Sequence, residues 1–369
     1  MLAKHELATV LQKHQDQLQN IVPNPWKYRT LFALSRCRTA AMGGHIDQCK
    51  NPKCKKLHLS YNSCRNRHCP KCQGHLKEKW VQAREEELLN CKYFHVVFTL
   101  PHELNYLALE DPEIYYNTLF KVAWNVLKGF GANPKFLGAK MGMIAILHTW
   151  GQNLSLHPHL HCIVPSGGLT KSGKWKNTKS KGKYLFDVKE MSKVFRAQFV
   201  EALTKQVSIQ SSVRKKLFSK KWVVYAKEPF YGPSQVVEYL GRYTHKIAIS
   251  NHRIKSITNN KVIFSAKDYR HKGAKYDCAL KHKDFIQRFS LHILPKGFTR
   301  IRHYGILSSG KKKDSKTLID SQIGRVCQIE KSKPMKHRLC PSCKIGVLET
   351  IYTFDPRGPP PDWKTRFRY

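Results

Sequence analysis

Cysteines are concentrated in one short stretch of the chain, residues 37–72. Cys49 and Cys54 form a CxxxxC pair, and Cys69 and Cys72 form a CxxC pair. A stretch about as long as a β-hairpin separates the two pairs. Two thiolate pairs at this spacing suit tetrahedral zinc, because structural zinc sites take four Cys or His ligands and leave no coordination position open. The sequence therefore predicts a structural zinc ion held by these four cysteines.

Further potential ligands leave the number of zinc ions and the choice of four ligands open. Those beside the two pairs are Cys37, His45, Cys64 and His68. A second half-site lies in the C-terminal segment HRLCPSC and consists of His337, Cys340 and Cys343, with Cys327 or another residue needed to complete it. The alternative for this segment is a pair of solvent-exposed loop cysteines. Neither site is expected to be catalytic, because no glutamate suited to activating water accompanies a three-ligand set.

Two histidines separated by one residue form a second group that could bind a cation. His159 and His161 stand in LHPHLHCIVP, in front of an apolar run typical of a strand. Alternation along a strand points residues i and i+2 to the same face, so both imidazoles could reach one ion. His157 would share that face, although Pro158 changes the local backbone. A histidine pair that simply faces solvent is the alternative.

Two tyrosines four residues apart form a third group. On a helix, Tyr239 and Tyr243 in EYLGRYTHKIAIS would lie on one face, one turn apart. A packing pair is the ordinary explanation of such spacing. However, tyrosine can act as a covalent nucleophile, and a phenol that attacks a phosphodiester needs a metal ion to polarise the phosphoryl group. The histidine pair could supply that ion.

The composition indicates a polyanionic partner. Lysine and arginine number 66 against 25 aspartates and glutamates, a formal net charge of +41. Such a charge attracts phosphates and makes binding depend on salt. Hydrophobic residues at 41% are too many for a disordered basic tail, and the sequence has neither a signal-peptide core nor an apolar run that could span a bilayer. The expectation is a soluble protein of a reducing intracellular compartment that binds nucleic acid and no membrane.

Several basic and aromatic residues are candidates for DNA contacts. Phosphate contacts are expected beside the cysteines and near the tyrosines, and base stacking in the lysine-rich segment 171–184. The residues are Arg65, Arg67, Lys174, Trp175, Arg242 and Lys246. A solvated basic surface is the alternative for each of them.

The elements that must position these groups are predicted from hydrophobic periodicity. Strand patterns at YFHVVFTLP, MGMIAILHTW and HLHCIVP, and near IAIS, VIFSAKDY and TRIRHYGIL, alternate with helical patterns without a regular βαβ repeat. This mixture predicts an α+β fold with a largely antiparallel sheet. Helices are expected at about 187–206 and 233–246. The predicted organisation is a helical segment 1–36, a zinc-binding, DNA-contacting domain 37–90, a main domain 91–307 and a basic tail 308–369.

Five segments together resemble one known family. NSCRNRHCPKCQ, YFHVVFTLPHELN, WGQNLSLHPHLHCIVPSGG, EYLGRYTHKIAISNHRI and LPKGFTRIRHYG occur in this order and cover most of residues 37–307. In this respect the chain resembles the rolling-circle insertion-sequence transposases of the HUH type with two tyrosines, the insertion-sequence-ninety-one group.

The resemblance implies a zinc-binding N-terminal domain followed by an HUH endonuclease domain, in which an antiparallel sheet carries the histidine pair and a nearby helix carries the tyrosines. It further implies that Mg²⁺ or Mn²⁺ orients a phosphate of single-stranded DNA and that a tyrosine attacks it to give a 5′-phosphotyrosine and a 3′-OH. His159 and His161 would be the metal ligands and Tyr239 and Tyr243 the nucleophiles. Gln152 is the favoured third ligand.

Alternatives remain for the third ligand and for the function. His157 or His245 could replace Gln152. A replication initiator or relaxase would use the same chemistry, but the N-terminal zinc module favours a transposase. A zinc-containing DNA-binding protein without enzymatic activity is the second alternative. The expected partners are single-stranded DNA at the ends of an insertion sequence and target DNA, in a prokaryotic cytoplasm at the nucleoid.

Overall fold

The computed structural model describes residues 4–72, 87–230, 236, 247–268, 271–326 and 338–367. Its α-helices are α1 (Leu7–Lys13), α2 (Leu18–Ile21), α3 (Pro25–Ser35), α4 (Leu107–Glu110), α5 (Pro112–Ala132), α6 (Lys179–Gly182), α7 (Val188–Thr204), α8 (Ser211–Ser219), α9 (His282–Ser290), α10 (Lys312–Ile323) and α11 (Trp363–Arg366). Its strands are β1 (Gly44–Cys49), β2 (Leu57–Tyr61), β3 (Tyr93–Thr99), β4 (Gly142–Trp150), β5 (Leu156–Pro165), β6 (Gly167–Leu169), β7 (Trp175–Asn177), β8 (Val224–Phe230), β9 (Ile254–Ile257), β10 (Lys261–Asp268), β11 (Ala274–Lys281), β12 (Ile301–Gly305) and β13 (Leu348–Phe354).

The chain folds as two compact units, and each is assembled from separate stretches of sequence. The first unit comprises 1–80, 245–293 and 328–369, and the second comprises 81–244 and 294–327. The structure thus divides the chain differently from the consecutive boundaries at 36, 90 and 307, because strands far apart in sequence pair within one sheet.

The second unit is built around a five-stranded antiparallel sheet with the strand order β12-β4-β5-β3-β8. One face packs on α5 and α7 through an aromatic and aliphatic core. Phe98 of β3, for example, has its ring centroid 4.9 Å from that of Phe195 on α7, and both are fully buried. Because strand residues alternate between faces, the neighbours of these core residues lie on the opposite face. That opposite face carries the histidines.

Local sequence explains the two helices that cover the sheet. Pro112 starts α5, where its missing N–H and preset φ are compatible with a first helical turn. The side chain of Asp187 caps α7 by accepting hydrogen bonds from the backbone N–H groups of Lys189 and Glu190. Both helices bury an apolar stripe at three- and four-residue spacing.

The first unit contains two three-stranded sheets with the orders β13-β1-β2 and β11-β10-β9. In the first of these, the C-terminal strand β13 pairs with β1 along its whole length, from Gly44 opposite Phe354 to Cys49 opposite Leu348. Thr350 of β13 donates a hydrogen bond of 2.7 Å to the carboxylate of Asp47 on β1. The C-terminal segment is therefore an integral part of the sheet that carries the N-terminal cysteines.

The predicted fold class, α+β with antiparallel sheets, is confirmed. The strands at YFHVVFTLP, MGMIAILHTW and HLHCIVP correspond to β3, β4 and β5, and the helix at 187–206 to α7. The strand expected at residues 247–250 is wrong: the chain there is irregular and leads into a 3₁₀ turn at Asn251–Arg253. The helix expected at 233–246 lies outside the described residues apart from Val236. Across the described ranges, no helix has the length and apolar content that a membrane span requires.

Candidate functional site: a histidine cluster and two cysteine clusters

Three histidines converge on the sheet face opposite the helical core. His148 on β4 stands directly across from His159 on β5, and the ligand nitrogens of His148, His159 and His161 all lie within 4.8 Å of one another. The ring centroids of His148 and His161 are 4.5 Å apart, and those of His159 and His161 are 4.9 Å apart. His148 and His161 are buried, whereas His159 is partly exposed. One cation could therefore contact all three imidazoles.

Hydrogen bonds orient two of these rings. Nδ1 of His159 lies 2.7 Å from the backbone carbonyl oxygen of His157, to which it can only donate. Nδ1 of His161 lies 2.8 Å from Nε2 of His95 on β3. Burial, together with the positive charge of Lys227, lowers the pKa of His95 to about 4. When His95 is neutral, its Nε2 can accept a hydrogen bond from the Nδ1–H of His161. The rings of His159 and His161 would then both present Nε2 to a cation.

An aromatic and a basic side chain border the cluster. The Trp150 ring stacks on His148 with centroids 4.5 Å apart and an interplanar angle of 23°. The guanidinium of the buried Arg300 lies 5.8 Å from the centroid of Trp150, within the range of a cation–π interaction. This stack holds His148 in place and adds positive charge beside the cluster.

Sequence reasoning missed His148. It named Gln152 as the third ligand, and that residue lies in the turn between β4 and β5 rather than on a strand. The alternative His157 is exposed, with its ring centroid 5.2 Å from that of His159. A usable signal was present: β4 and β5 form a hairpin with a short turn, and residues about equally far from such a turn lie opposite each other. His148 and His159 satisfy this relation.

Eight of the described cysteines form two separate clusters of four. The first contains Cys37, Cys64, Cys69 and Cys72. The sulfur of Cys37 lies 3.6 Å from that of Cys72 and 3.5 Å from that of Cys69, and Cys64 lies 3.7 Å from Cys72. A zinc–sulfur bond of about 2.3 Å requires tetrahedral S···S edges of about 3.8 Å, so these spacings match a tetrathiolate site.

The second cluster joins the two ends of the chain and contains Cys49, Cys54, Cys340 and Cys343. The four cysteines that their spacing grouped as one site are therefore divided: Cys49 and Cys54 belong to this cluster, and Cys69 and Cys72 to the other. The C-terminal half-site is completed by this N-terminal pair. The proposed completing residue Cys327 and the neighbouring His337 lie outside the described residues.

The clustered thiols shift each other's pKa. In the first cluster, hydrogen bonds with Cys37, Cys64 and Cys69 lower the pKa of Cys72, while hydrogen bonds with Cys37, Cys64 and Cys72 raise that of Cys69. In the second cluster, the backbone N–H groups of Gly346 and Ile345 lower the pKa of Cys343 to about 6. Each cluster thus favours a thiolate, which is the form that binds metal.

Some of the other predicted site residues lie within the described residues, and the rest lie outside them. His45 binds Asn62 and Asp47 and belongs to neither cysteine cluster. His68 is buried beside Arg67, whose Nε donates to it at 3.4 Å. Arg65 and Lys174 are exposed. The indole N–H of Trp175 donates to Asn177, so this ring packs within its own hairpin. Those outside the described residues are Tyr239, Arg242, Tyr243, His245 and Lys246.

Comparison with known proteins places the chain in a family. A family model described as "Transposase zinc-binding domain" matches residues 10–100, and one described as "Putative transposase" matches residues 142–315. No solved structure matches the chain.

Two curated proteins are similar over most of the chain. "Putative transposase y4qJ" of Sinorhizobium fredii is 38% identical over 370 residues, covering 91% of this chain and 92% of that protein. "Transposase for insertion sequence element IS801" of Pseudomonas savastanoi pv. phaseolicola is 28% identical over 299 residues, 76% of this chain and 70% of that protein. The zinc-binding domain and the cysteine clusters support zinc as a bound ion. The chain belongs to the insertion-sequence-ninety-one family of transposases, with an N-terminal zinc-binding domain.

Proposed function

We propose that this transposase is a metal-dependent single-strand DNA endonuclease and strand transferase of the HUH type, which moves an insertion sequence by a rolling-circle route. The observation that carries the proposal is the cluster of His148, His159 and His161 on one face of an antiparallel sheet. The net charge of +41 also supports the proposal, because DNA is the polyanion on which a transposase acts.

The donor set suits a divalent cation. Three neutral imidazoles with ring nitrogens within 4.8 Å of one another can share one ion and would leave coordination positions for phosphate oxygen. We expect Mn²⁺ to fit this set better than Mg²⁺, because imidazole suits first-row transition ions whereas Mg²⁺ prefers oxygen ligands. When bound, the ion would polarise the scissile phosphate and offset its developing negative charge.

The chain's own residues would perform the covalent step. Oη of Tyr239 or Tyr243 attacks phosphorus and loses its proton to solvent or a nearby base, forming a phosphotyrosine bond to the 5′ end. The bond between phosphorus and the 3′ oxygen breaks, and that oxygen leaves as a hydroxyl after taking up a proton. Because the phosphotyrosine conserves the bond energy, attack by another 3′-OH can rejoin the strand without ATP. Two tyrosines allow two ends to be held in one cycle.

The first cysteine cluster has a structural role in this proposal. Cys37, Cys64, Cys69 and Cys72 would hold one zinc ion as thiolates, with no position open for water. Arg65 is exposed between two of these cysteines, so the zinc would hold a basic loop in a shape that could contact phosphate. We assign this loop to DNA binding and not to catalysis.

A covalent adduct tests the proposal. Purified protein would be incubated with end-labelled single-stranded DNA from the ends of its own element, with Mn²⁺, Mg²⁺ or EDTA, and run on denaturing gels. Wild type should give a metal-dependent protein–DNA adduct, each of Tyr239→Phe and Tyr243→Phe should reduce or redistribute it, and the double variant should abolish it. Tyr276→Phe, at an exposed strand residue in the other unit, serves as the control. An absence of adduct with a DNA that the protein binds tightly would overturn the nuclease assignment.

A further inference from the structure

The second cysteine cluster combines parts of the chain that lie 286 or more residues apart. Cys49 lies 3.6 Å from Cys343, and Cys54 lies 3.9 Å from Cys340, measured between sulfurs. All four sulfurs fall within 4.8 Å of one another, and all four cysteines belong to the first unit. These distances are near the edge of about 3.8 Å for a zinc tetrathiolate and far longer than a disulfide bond of about 2.05 Å.

Both halves of this cluster have the same local construction. In each, the residue after the second cysteine adopts a left-handed backbone, with φ of +46° at Lys55 and +58° at Lys344. Arg38 and Arg65, which each follow a cysteine of the first cluster, do the same. Lysine and arginine rarely adopt this conformation, and it persists only where the surrounding structure imposes it. The shared turn indicates that the C-terminal pair is built like the N-terminal ones.

The packing around the sulfurs is close and includes N–H donors. The backbone N–H of Gly346 donates to the sulfur of Cys343 at 3.3 Å, and the side-chain amide of Asn51 donates to it at 3.8 Å. A Cβ at position 346 would collide with the sulfur of Cys49 and lie 2.8 Å from the Cβ of Asn51. Cys49 and Cys340 are almost completely buried. Only glycine allows the C-terminal turn to come this close to the N-terminal pair.

The pairing of β13 with β1 brings the two halves into register. Cys49 ends β1 opposite Leu348, the first residue of β13, and the N–H of Lys50 donates to the carbonyl of Val347 at 3.0 Å. The match to the family's zinc-binding domain covers only residues 10–100 and so includes neither β13 nor the C-terminal cysteines.

We propose that Cys49, Cys54, Cys340 and Cys343 bind a second structural zinc ion, and that this ion fastens the C-terminal segment to the N-terminal zinc-binding module. Each thiol gives up its proton to solvent when its sulfur binds the ion, with no change in oxidation state. The module is then complete only when its N-terminal and C-terminal cysteines are both present.

Zinc counting tests the ligands. The zinc content of the purified protein would be measured by inductively coupled plasma mass spectrometry. Wild type would be compared with the double variant Cys340→Ser/Cys343→Ser. The control is the double variant Cys91→Ser/Cys278→Ser, whose two positions lie outside both clusters. The first pair should lose one zinc per chain relative to wild type, and the control pair none. An unchanged zinc content in Cys340→Ser with Cys343→Ser would overturn the proposal.

Retention of a cleaved fragment tests whether zinc fastens the C-terminal segment to the N-terminal module. This test does not depend on the folding of Cys340→Ser with Cys343→Ser. A specific protease site would be inserted between Gly324 and Arg325, which are exposed after α10, and the cut protein passed over a sizing column. With zinc, the fragment 325–369 should stay bound in the wild type and in Cys37→Ser with Cys64→Ser, and it should be released by a chelator. Release of the wild-type fragment while zinc remains bound would overturn the proposal, as would retention after both ions have been removed.

Substitution of glycine provides a variant that keeps every ligand. Gly346→Ala should lower zinc retention at the second site during dialysis against a chelator, because its Cβ displaces Cys49. Gly310→Ala, whose Cβ would meet no atom within 4 Å, should behave like wild type. Equal retention in the two glycine variants would contradict the close approach on which the site depends. None of these measurements involves DNA cleavage, so their failure is separable from failure of the proposed nuclease.

Discussion

At the scale of single residues, the histidine cluster shows how far a motif specifies a site. His159 and His161 lie on the same face because a strand has a period of two. His148 joins them from another strand and is held by Trp150 on one side. His95 contributes indirectly, since its Nε2 can accept a hydrogen bond from the Nδ1–H of His161. Hydrogen-bonded partners of this kind orient ligand imidazoles and raise their basicity.

Comparing two substitutions tests which residue is the third ligand of the proposed catalytic metal. We expect His148→Asn to reduce Mn²⁺-dependent cleavage of single-stranded DNA by at least about 100-fold, and Gln152→Ala by less than about 10-fold. The reason is that His148 has a ring nitrogen within 4.8 Å of those of the histidine pair, whereas Gln152 lies in the turn. The measurement is cleavage rate against Mn²⁺ concentration. His102→Asn, at an exposed histidine, is the control, and a larger effect of Gln152→Ala would reverse the assignment.

At the scale of elements, a partly buried histidine pair joins two helices of the first unit. Nε2 of His14, which follows α1, lies 2.9 Å from Nδ1 of His282 at the start of α9. His282 is buried. Burial lowers its pKa, and the charges of His14 and Lys13 lower it further. The contact between these helices therefore favours the neutral form of His282.

This pair predicts a pH dependence of stability. The folded-state pKa of His282 lies below its ordinary value of about 6.5. As the pH falls below that value, His282 is therefore protonated more readily in the unfolded chain than in the folded chain. The contribution of neutral His282 to the stability of the folded state is complete above pH 6.5 and is lost as the pH falls below it. His282→Asn should therefore make the decrease in melting temperature between pH 7 and pH 5 smaller by a few degrees.

The control for this prediction is His252→Asn, which changes an exposed histidine of the same unit. Loss of zinc in acid also lowers stability, but it does so in wild type and variants alike. The difference between wild type and His282→Asn in the slope of melting temperature against pH therefore reports the effect of His282. Identical slopes for wild type and His282→Asn would show that this pair does not control the acid response.

At the scale of the whole molecule, the dominant property is the charge of +41. It is spread over both units, and exposed cations such as Arg65 and Lys174 have no carboxylate among the described ion pairs. Binding to DNA should therefore depend strongly on the release of counterions.

Salt titration measures this property. For about six phosphate contacts on a single strand, the affinity should fall about 300-fold between 50 and 200 mM salt. Arg65→Gln should flatten the plot of log affinity against log salt, and Lys205→Gln should not, because Lys205 is already paired with Glu201 on α7. Fluorescence anisotropy with a labelled single strand provides the measurement. A change of less than tenfold for wild type would contradict an electrostatic mode of binding.

Features that depend on local pattern or composition could be predicted from the sequence. Alternating apolar residues identified β3, β4 and β5, the period of two placed His159 and His161 on one face, and the charge indicated a polyanionic partner. The ordered motifs identified the family. The strand expected at residues 247–250 was wrong, because a short apolar run does not by itself provide a neighbouring strand to pair with.

Which distant groups come into contact depends on the tertiary fold. Spacing could not divide the cysteines into two sets, because Cys340 and Cys343 reach Cys49 and Cys54 through the pairing of β13 with β1. Likewise, His148 enters the histidine cluster through the register of β4 on β5. In both cases the contact depends on cross-strand pairing, whose register is set by burial of one sheet face and by the connecting turns. A linear motif does not contain that information.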